Sequence, residues 1–208
     1  MSTITTTPPK ITIAVRRLTD SVVLGAEPIY LPVRPEADAI VHECFPNVQA
    51  KIARDGGQML CGWQLWEWPD VLVEAEFHAV WVSPCGEPID VSPKPEGETR
   101  ILFVPDPGRR YEGLAIDNVR MPLSDDLLIR HFIQMSEAIV GVMNRGKRAT
   151  QYGHVSVPAN EIQPLLQARA FLGQSLAAGL REHTPCLCGS GRKYARCHGS
   201  HVEAFFGS

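Results

Sequence analysis

Apolar and polar residues alternate along several stretches in the first half of the chain, a pattern typical of half-buried β-strands. Three of these stretches are rich in β-branched and aromatic residues, and they span residues 58–68, 71–83 and 99–106. Two shorter ones, residues 10–18 and 20–25, alternate in the same way and predict a hairpin. The pattern therefore predicts a body built mainly from strands.

Apolar residues recur at helical spacing in three other segments. The first begins near Val41 and ends at a pair of glycines. Pro46 suits the first turn of this helix, where a missing N–H costs nothing, so Cys44 is expected near the helix N-terminus. Two further helices are expected in the C-terminal half, over residues 124–146 and 158–183.

The composition is that of a soluble globular protein, with 44% apolar and 21% charged residues in a chain of 208. A net charge of −3 gives no basic field that would attract nucleic acid or anionic lipid. No apolar run approaches the roughly 18–20 residues that a membrane helix needs. The first ten residues lack the order of a secretory signal and predict a short disordered lead. We therefore expect a cytoplasmic protein.

Three of the six cysteines lie within twelve residues of one another near the C-terminus, beside a histidine. In a reducing cytosol, free thiols or metal ligands are expected rather than disulfides. Three thiolates and one imidazole form a closed tetrahedral zinc site, which is the composition of a structural ion. His183 and His201 are nearby alternatives to the histidine ligand. The expected ligands are Cys186, Cys188, Cys197 and His198.

The loop between these cysteines has the residues that such a site requires. Gly189 and Gly191 let the backbone turn tightly around the metal and direct N–H groups at the thiolates. Arg192, Lys193 and Arg196 offset the negative charge of the ligands. Because this loop has too few residues to form an apolar core, we expect the metal to supply its folding free energy, on the order of 10 kcal/mol.

The segment PCLCGSGRKYARCHG, residues 185–199, resembles the SEC-C motif, a zinc knuckle found at the C-terminus of the bacterial preprotein-translocase ATPase and in many unrelated bacterial proteins. The resemblance implies that the four residues named above hold one zinc ion in a bacterial cytosolic protein. It also implies that the knuckle docks a protein partner of the chaperone or ribosome type. No phosphate-binding loop occurs in the chain, so ATPase activity is not implied.

A histidine lies inside the longest apolar strand pattern. Alternation places His78 on the same face as Glu74, Glu76 and Val80, and such a half-polar face is expected where a strand enters a cleft. The turn that follows would bring Asp90 back on a neighbouring strand, close to the imidazole. A carboxylate there fixes the tautomer of a histidine and stabilises its imidazolium form.

Cysteine on a helix, then histidine and aspartate on successive strands, is the chain order of papain-like and transglutaminase-like thiol enzymes. Residues 40–93 resemble a distant transglutaminase-like core on this basis. The resemblance implies that Cys44 is the nucleophile, His78 the general base and Asp90 the orienting carboxylate. Asn47 or the backbone N–H of Cys44 could donate to an oxyanion.

Each of these residues also has a structural interpretation. Cys44 would be a core residue of an amphipathic helix, His78 a half-buried hydrogen-bonding group, and Asp90 a turn or cap residue. The carboxylates of Glu74 and Glu76 could instead bind a metal together with His78. The remaining thiols, Cys61 in a strand and Cys85 in a turn, are expected to be structural, and the four tryptophans to line the core or a cleft wall.

The elements together predict an α+β fold: an antiparallel sheet body with a helix in its N-terminal half, of papain- or transglutaminase-like type, then two C-terminal helices and a small zinc knuckle. The expected segments are the body over residues 1–123, a helical segment over 124–182 and the knuckle over 183–208. Two functions are compatible with this organisation. The body is either a thiol hydrolase or acyltransferase for an amide or thioester, or a non-catalytic adaptor with a zinc-held tail.

Overall fold

The computed structural model of the protein describes residues 5–151 and 155–207, and it confirms the α+β fold class. The three long strands and the three helices that the pattern predicts are all present, together with short elements that it does not predict. The helices are α1 (Ile13–Val22), α2 (Cys44–Asp55), α3 (Leu127–Met143), α4 (Ala159–Ala177) and α5 (His198–Phe206). The strands are β1 (Ile29–Pro32), β2 (Gln58–Trp68), β3 (Leu72–Val82), β4 (Pro88–Ile89), β5 (Arg100–Pro105) and β6 (Val119–Pro122). Two 3₁₀ turns lie at Gly146–Thr150 and Tyr194–Arg196.

Close contacts along the chain divide it into two compact units. The first, which we call the sheet unit, contains the described residues up to Pro69 together with Val73–Glu112 and Asn118–Met121. The second, the C-terminal unit, contains Asp70–Leu72, Gly113–Asp117 and the chain from Pro122 onward. The division into three segments at residues 123 and 182 stays a prediction.

The sheet has the strand order β1-β5-β2-β3-β4, and β6 pairs with β3 beside this path. Ile29 of β1 faces Phe103 of β5, and Trp63 of β2 faces Val104 in the antiparallel register. A parallel bridge between Val33 and Asp90 then links the chain after β1 to the chain after β4. The two ends of the strand order are thereby joined by backbone hydrogen bonds, so the sheet is nearly closed.

Strand β3 is buried on both faces over its second half. Ala79 and Trp81 pack with Val48 of α2 on one side, whereas Val80 packs with Ile101 and Phe103 on the other. The sequence pattern instead led us to expect a half-polar face opening into a cleft. The expected opening into a cleft is wrong, because apolar residues of α2 and β5 pack against the two faces and His78 is only 5% exposed.

The predicted hairpin over residues 10–25 is also wrong, because helix α1 occupies most of this stretch. Its buried residues, Val15, Leu18 and Thr19, follow helical spacing. The Thr12 hydroxyl accepts a hydrogen bond from the Val15 N–H at 3.2 Å and caps the helix. Alternation of β-branched residues over so short a stretch suits either element, and here the cap and the buried stripe decide for the helix.

The expected disordered lead is only partly tested, since residues 1–4 lie outside the described part of the chain. After them, Thr6 pairs with Glu67 of β2 through two backbone hydrogen bonds of 2.9 and 2.8 Å. The Tyr30 hydroxyl donates to the carbonyl of Pro8 at 2.8 Å. Residues 6–8 are therefore ordered parts of the sheet unit.

In the C-terminal unit, α3 and α4 pack against each other through apolar side chains that include Phe132 and Leu172. Helix α3 begins after Asp126, whose carboxylate accepts hydrogen bonds from the N–H groups of Leu128 and Ile129. A third helix, α5, starts directly at His198 and was not predicted. None of the described helices combines the length and the apolar character that a bilayer-spanning segment requires.

We expect Gly62→Ala to lower the free energy of unfolding by about 2–3 kcal/mol, because β2 and β5 are too close there to admit a methyl group. A Cβ at this position would overlap the carbonyl oxygen of Val104 and lie 2.5 Å from Cζ of Phe103. Urea unfolding of the full chain measures the change. Gly108→Ala, whose Cβ would meet only the Asp106 carboxylate at 3.7 Å, is the matched control. Equal stability of the two variants would contradict this packing.

Candidate functional site

The backbone around the C-terminal cysteines forms a tight loop closed by hydrogen bonds. The N–H of Cys186 donates to the carbonyl of Arg192 at 2.8 Å, and Pro185 and Lys193 form an antiparallel bridge. Gly189 and Gly191 have φ angles of 77° and 73°, a region that side chains other than glycine rarely adopt. Both glycines are therefore required for this turn, as the sequence predicts.

Four ligand atoms converge inside this loop and lie within 4.8 Å of one another. The Sγ atom of Cys186 is 3.2 Å from Nδ1 of His198, and the Sγ atoms of Cys188 and Cys197 are 3.5 Å apart. Tetrahedral zinc, with Zn–S bonds of about 2.3 Å and Zn–N bonds of about 2.0 Å, separates its ligand atoms by about 3.5–3.8 Å. The donor set of the four side chains matches such a site, and their ligand atoms lie close enough together to be compatible with a bound metal ion.

Electrostatics differ among the cysteines of this cluster. Hydrogen bonds from the Ser190 hydroxyl and backbone N–H, with a smaller contribution from Cys197, lower the pKa of Cys188 to about 6. Burial raises the pKa of Cys186. Cys188 is therefore a thiolate at neutral pH, and a thiolate is the form in which cysteine binds a metal.

Residues 184–200 match the family model described as the SEC-C motif. The chain carries an SEC-C motif. No curated protein and no solved structure gives a significant match to the chain. The transglutaminase-like resemblance of residues 40–93 thus has no support from these comparisons. His183 and His201 lie outside the ligand cluster of the described residues, and His183 contacts Glu182 at 2.8 Å instead.

The SEC-C motif packs firmly on the helices of the C-terminal unit. Tyr194, which lies between the cysteine ligands, is 1% exposed, and its hydroxyl is 2.7 Å from Nδ1 of His131 in α3. The ring of His198 lies 4.7 Å from that of Phe171 in α4. Burial raises the pKa of Tyr194, so its hydroxyl stays protonated. The metal ligands therefore share a packed core with α3 and α4.

A second polar cluster lies inside the sheet unit, around the histidine of β3. Nε2 of His78 is 3.0 Å from Oδ2 of Asp90, and the other carboxylate oxygen accepts the N–H of Ser92 at 2.9 Å. Asp90 follows β4, which pairs antiparallel with the end of β3. The structure thus brings His78 and Asp90 together as the sequence suggests, but in the interior, since Asp90 is 0% exposed.

Two further residues complete this cluster, and sequence reasoning missed both. Nζ of Lys94 is 2.5 Å from Oδ2 of Asp90 and 3.4 Å from Nε2 of His78. The same amino group donates to Oε1 of Gln64 at 2.8 Å. A lysine between two prolines looks like a loop residue, and only the fold directs its side chain inward. Asp90 therefore faces two cationic partners.

These charges control the protonation of the histidine. Burial alone lowers the pKa of His78, but attraction from the Asp90 carboxylate, with smaller help from the Cys44 thiol, raises it to about 9 against repulsion from Lys94. Burial alone raises the pKa of Asp90, whereas His78 and Lys94 together lower it to about 2. At neutral pH the cluster therefore holds an imidazolium at His78 and a carboxylate at Asp90.

Cys44 is the first residue of α2, and Pro46 lies in the first helical turn, as predicted. The Asn47 side chain makes two hydrogen bonds to the backbone of Ile40, at 2.9 and 2.8 Å, and fixes the chain that enters the helix. Cys44 is 9% exposed and packs with apolar residues of α2 and β3. Among the described residues no hydrogen bond joins its thiol to His78.

Other candidates have structural partners. Glu74 binds Arg120 at 2.8 Å, and Glu76 accepts a hydrogen bond from Trp66 at 2.7 Å. Within the part of the chain that the structure describes, these carboxylates form no metal cluster with His78. Cys61 is buried in β2, and Cys85 is exposed in the turn after β3.

We expect the sheet unit to lose stability in alkali as His78 loses its proton. The pKa of His78 is raised from 6.5 to about 9, so its contribution is complete below pH 6.5 and is lost as the pH rises through 9. The pKa of Asp90 is lowered from 3.8 to about 2, so its contribution is complete above pH 3.8 and is lost as the pH falls through 2. Urea unfolding should therefore show the greatest stability between pH 3.8 and 6.5. The free energy of unfolding should fall on the order of 3 kcal/mol as the pH rises through 9.

The titration of His78 itself checks the cause. Its ring-proton chemical shifts in an NMR titration should change with a midpoint near pH 9. Asp90→Asn should move that midpoint below the ordinary value of 6.5, because burial then acts without the opposing carboxylate. A midpoint at or below 6.5 in the unmodified chain would show that Asp90 does not hold the proton.

Proposed function

We propose that the protein is a zinc-dependent adaptor, in which the SEC-C motif binds one structural zinc ion and the zinc-held C-terminal unit docks a protein partner. The observation that supports it is the convergence of four ligand atoms within 4.8 Å. Three thiolates and an imidazole fill a tetrahedral coordination shell and leave no position for a substrate. The metal would therefore serve the fold rather than a reaction.

The residues of this chain that would hold the ion are Cys186, Cys188, Cys197 and His198. Such an ion supplies folding free energy to a loop that has too little apolar surface of its own. Packing of Tyr194 and His198 against α3 and α4 would transmit this stabilisation to the whole C-terminal unit.

Docking is supported by apolar side chains around the motif that are exposed at the surface. Leu187 is 47% exposed and Phe205 is 55% exposed. Arg192 and Lys193 add positive charge on the exposed side of the loop. Apolar side chains rimmed by charge are typical of protein–protein contact sites. By resemblance to the SEC-C family, we propose a partner of the chaperone or ribosome type in a bacterial cytosol.

A second function, a thiol hydrolase or acyltransferase for an amide or thioester, is favoured by one observation. Nε2 of His78 is directed to Asp90, so Nδ1 is the nitrogen that could exchange a proton with Cys44 at the N-terminus of α2. We propose this activity second, because it requires a hydrogen bond between Cys44 and His78. The surrounding core would have to open for that bond to form.

We expect the purified protein to contain about one equivalent of zinc by elemental analysis. Cys188→Ser should lose the metal and the thermal transition of the C-terminal unit, because three ligands cannot close the site and the loop has no other core. Tyr194→Phe should keep the metal, since its hydroxyl is not a ligand. It should still lower the melting temperature, because the hydrogen bond to His131 is lost.

Cys85→Ser is the matched control for the loss of a thiol, since Cys85 is exposed in a turn of the sheet unit. This variant should keep both zinc and stability. A zinc content near zero in preparations grown with ample metal would refute the proposal. Loss of zinc without any change in thermal stability would refute the structural role of the ion.

The second function predicts that Cys44 reacts with iodoacetamide faster than Cys61, although the two thiols are equally buried, at 9% and 8% exposure. Burial raises the pKa of Cys61, which slows its reaction, whereas the second function requires His78 to activate Cys44. Peptide mapping after brief labelling measures both rates in one sample. His78→Ala should slow the labelling of Cys44 and leave that of Cys61 unchanged.

Equal rates at Cys44 and Cys61, or a His78→Ala variant that changes the two rates alike, would remove the thiol-enzyme proposal. The adaptor proposal does not depend on this result, because it rests on the four ligands of the C-terminal unit.

A further inference from the structure

A groove of about 690 Å³ lies in the sheet unit, along the first half of β2 and opposite residues 107–111. Its lining combines apolar and polar surface, and the lining residues include two arginines and no aspartate or glutamate. The groove contains neither Cys44 nor the His78 cluster, and it is separate from the SEC-C motif. It is therefore a site that the zinc and thiol chemistry leaves unexplained.

The groove runs along an unpaired strand edge. Antiparallel pairing of β2 with β5 starts at Gly62 and Pro105, and the last hydrogen bond beyond it joins the N–H of Asp106 to the carbonyl of Cys61. The N–H and C=O groups of alternate residues point to the same side of a strand. The backbone N–H and C=O of Met59 therefore point to the same side as those of Cys61, into the groove. Outside the strand ladders, no described backbone group forms a hydrogen bond with the N–H or C=O of Met59.

Side chains of this part of β2 leave the edge open. Met59 packs with the cluster that includes Val48 and Trp81, and Leu60 packs with the cluster that includes Ile101 on the opposite face. The two side chains therefore turn away from each other, and the main chain between them borders the groove. An edge of this kind accepts an extended peptide as an additional strand.

An oriented arginine provides the charge. Nε of Arg109 contacts Oδ2 of Asp106 at 3.3 Å, and its guanidinium lies 5.2 Å from the ring centre of Trp63 and 5.9 Å from that of Phe77. These contacts leave the two terminal nitrogens without a partner among the described residues, in the fork that binds a carboxylate with two hydrogen bonds. The exposed side chain of Arg110 adds a second positive charge.

The loop that carries these arginines is held in place by aromatic stacking. The ring of Tyr111 lies parallel to that of Phe45, with 3.6 Å between the ring centres and an angle of 8° between the planes. Phe45 in turn lies 5.6 Å from Phe77. The wall opposite the strand edge is thus fixed before a ligand arrives, which lowers the entropic cost of binding.

We propose that this groove binds an extended, acidic peptide segment of a partner protein, which adds a strand to the edge of β2 and places a carboxylate on Arg109 and Arg110. Main-chain hydrogen bonds to Met59 would give the register. Alternate side chains of the peptide would contact the apolar walls, and the acidic ones would pair with the arginines. This surface is independent of the zinc-held docking surface, so failure of either proposal leaves the other intact.

Fluorescence anisotropy of the full-length protein with a fluorescein-labelled hexapeptide of alternating valine and glutamate tests the proposal. We expect saturable binding that weakens as salt is added, and that falls about five- to tenfold when Arg109→Gln and Arg110→Gln are combined. Arg16→Gln combined with Arg17→Gln is the matched control. It removes the same charge from an adjacent exposed pair on α1 and should leave the affinity unchanged.

Two altered peptides separate the contributions. A glutamine version should bind more weakly because it lacks the carboxylates, and a version with N-methylated amides should bind more weakly because it cannot pair with a strand edge. Absence of saturable binding, or equal loss in the two arginine pairs, would overturn the proposal. Equal binding of the N-methylated peptide, or full competition by glutarate at equal concentration, would assign the site to small anions instead of a peptide strand.

Discussion

The sheet unit depends on the burial of one carboxylate. Asp90 closes the sheet through its backbone, because its N–H donates to the carbonyl of Pro32 and its carbonyl accepts from the N–H of Arg34. The same residue places its charge in an apolar interior, where an unpaired carboxylate would cost several kcal/mol. His78 and Lys94 supply the compensating charge. Closure of the sheet and the protonation of the histidine are therefore one constraint.

The C-terminal unit depends on a different interaction, because its last segment has little apolar core. Its last segment is short and rich in glycine and basic residues, so it cannot be held by apolar burial alone. Four converging ligand atoms and the buried ring of Tyr194 replace that burial, and the hydrogen bond to His131 ties the loop to α3. A knuckle that is packed in this way would present its exposed apolar side chains at a fixed position on the helices.

The buried histidine illustrates why a residue pattern supports two interpretations. A histidine that contacts an aspartate can activate a thiol or can simply neutralise a buried charge, and both arrangements need the same two side chains. Lys94 shifts the balance toward charge compensation, since it lies 2.5 Å from the carboxylate that a catalytic histidine would need for itself. Cys44 remains near enough to affect the imidazole, so its reactivity is the property that separates the two roles.

The sequence by itself determined the features that depend on local spacing. The SEC-C motif, its four candidate ligands, the three long strands and the position of Cys44 at a helix start all follow from residues that are close together in the chain. Only the tertiary structure decided that α1 is a helix rather than a hairpin, that Lys94 points inward, and that Tyr194 reaches His131. Lys94 is directed inward by contacts that include Gln64, 30 positions away, and Tyr194 reaches His131 across 63 positions. For α1, burial of the stripe that includes Val15 and Leu18 outweighs the local alternation. The tertiary structure also decided the unpaired edge of β2, because the pairing of β5 with β2 ends at Gly62 and leaves the first residues of β2 without a neighbour on that side.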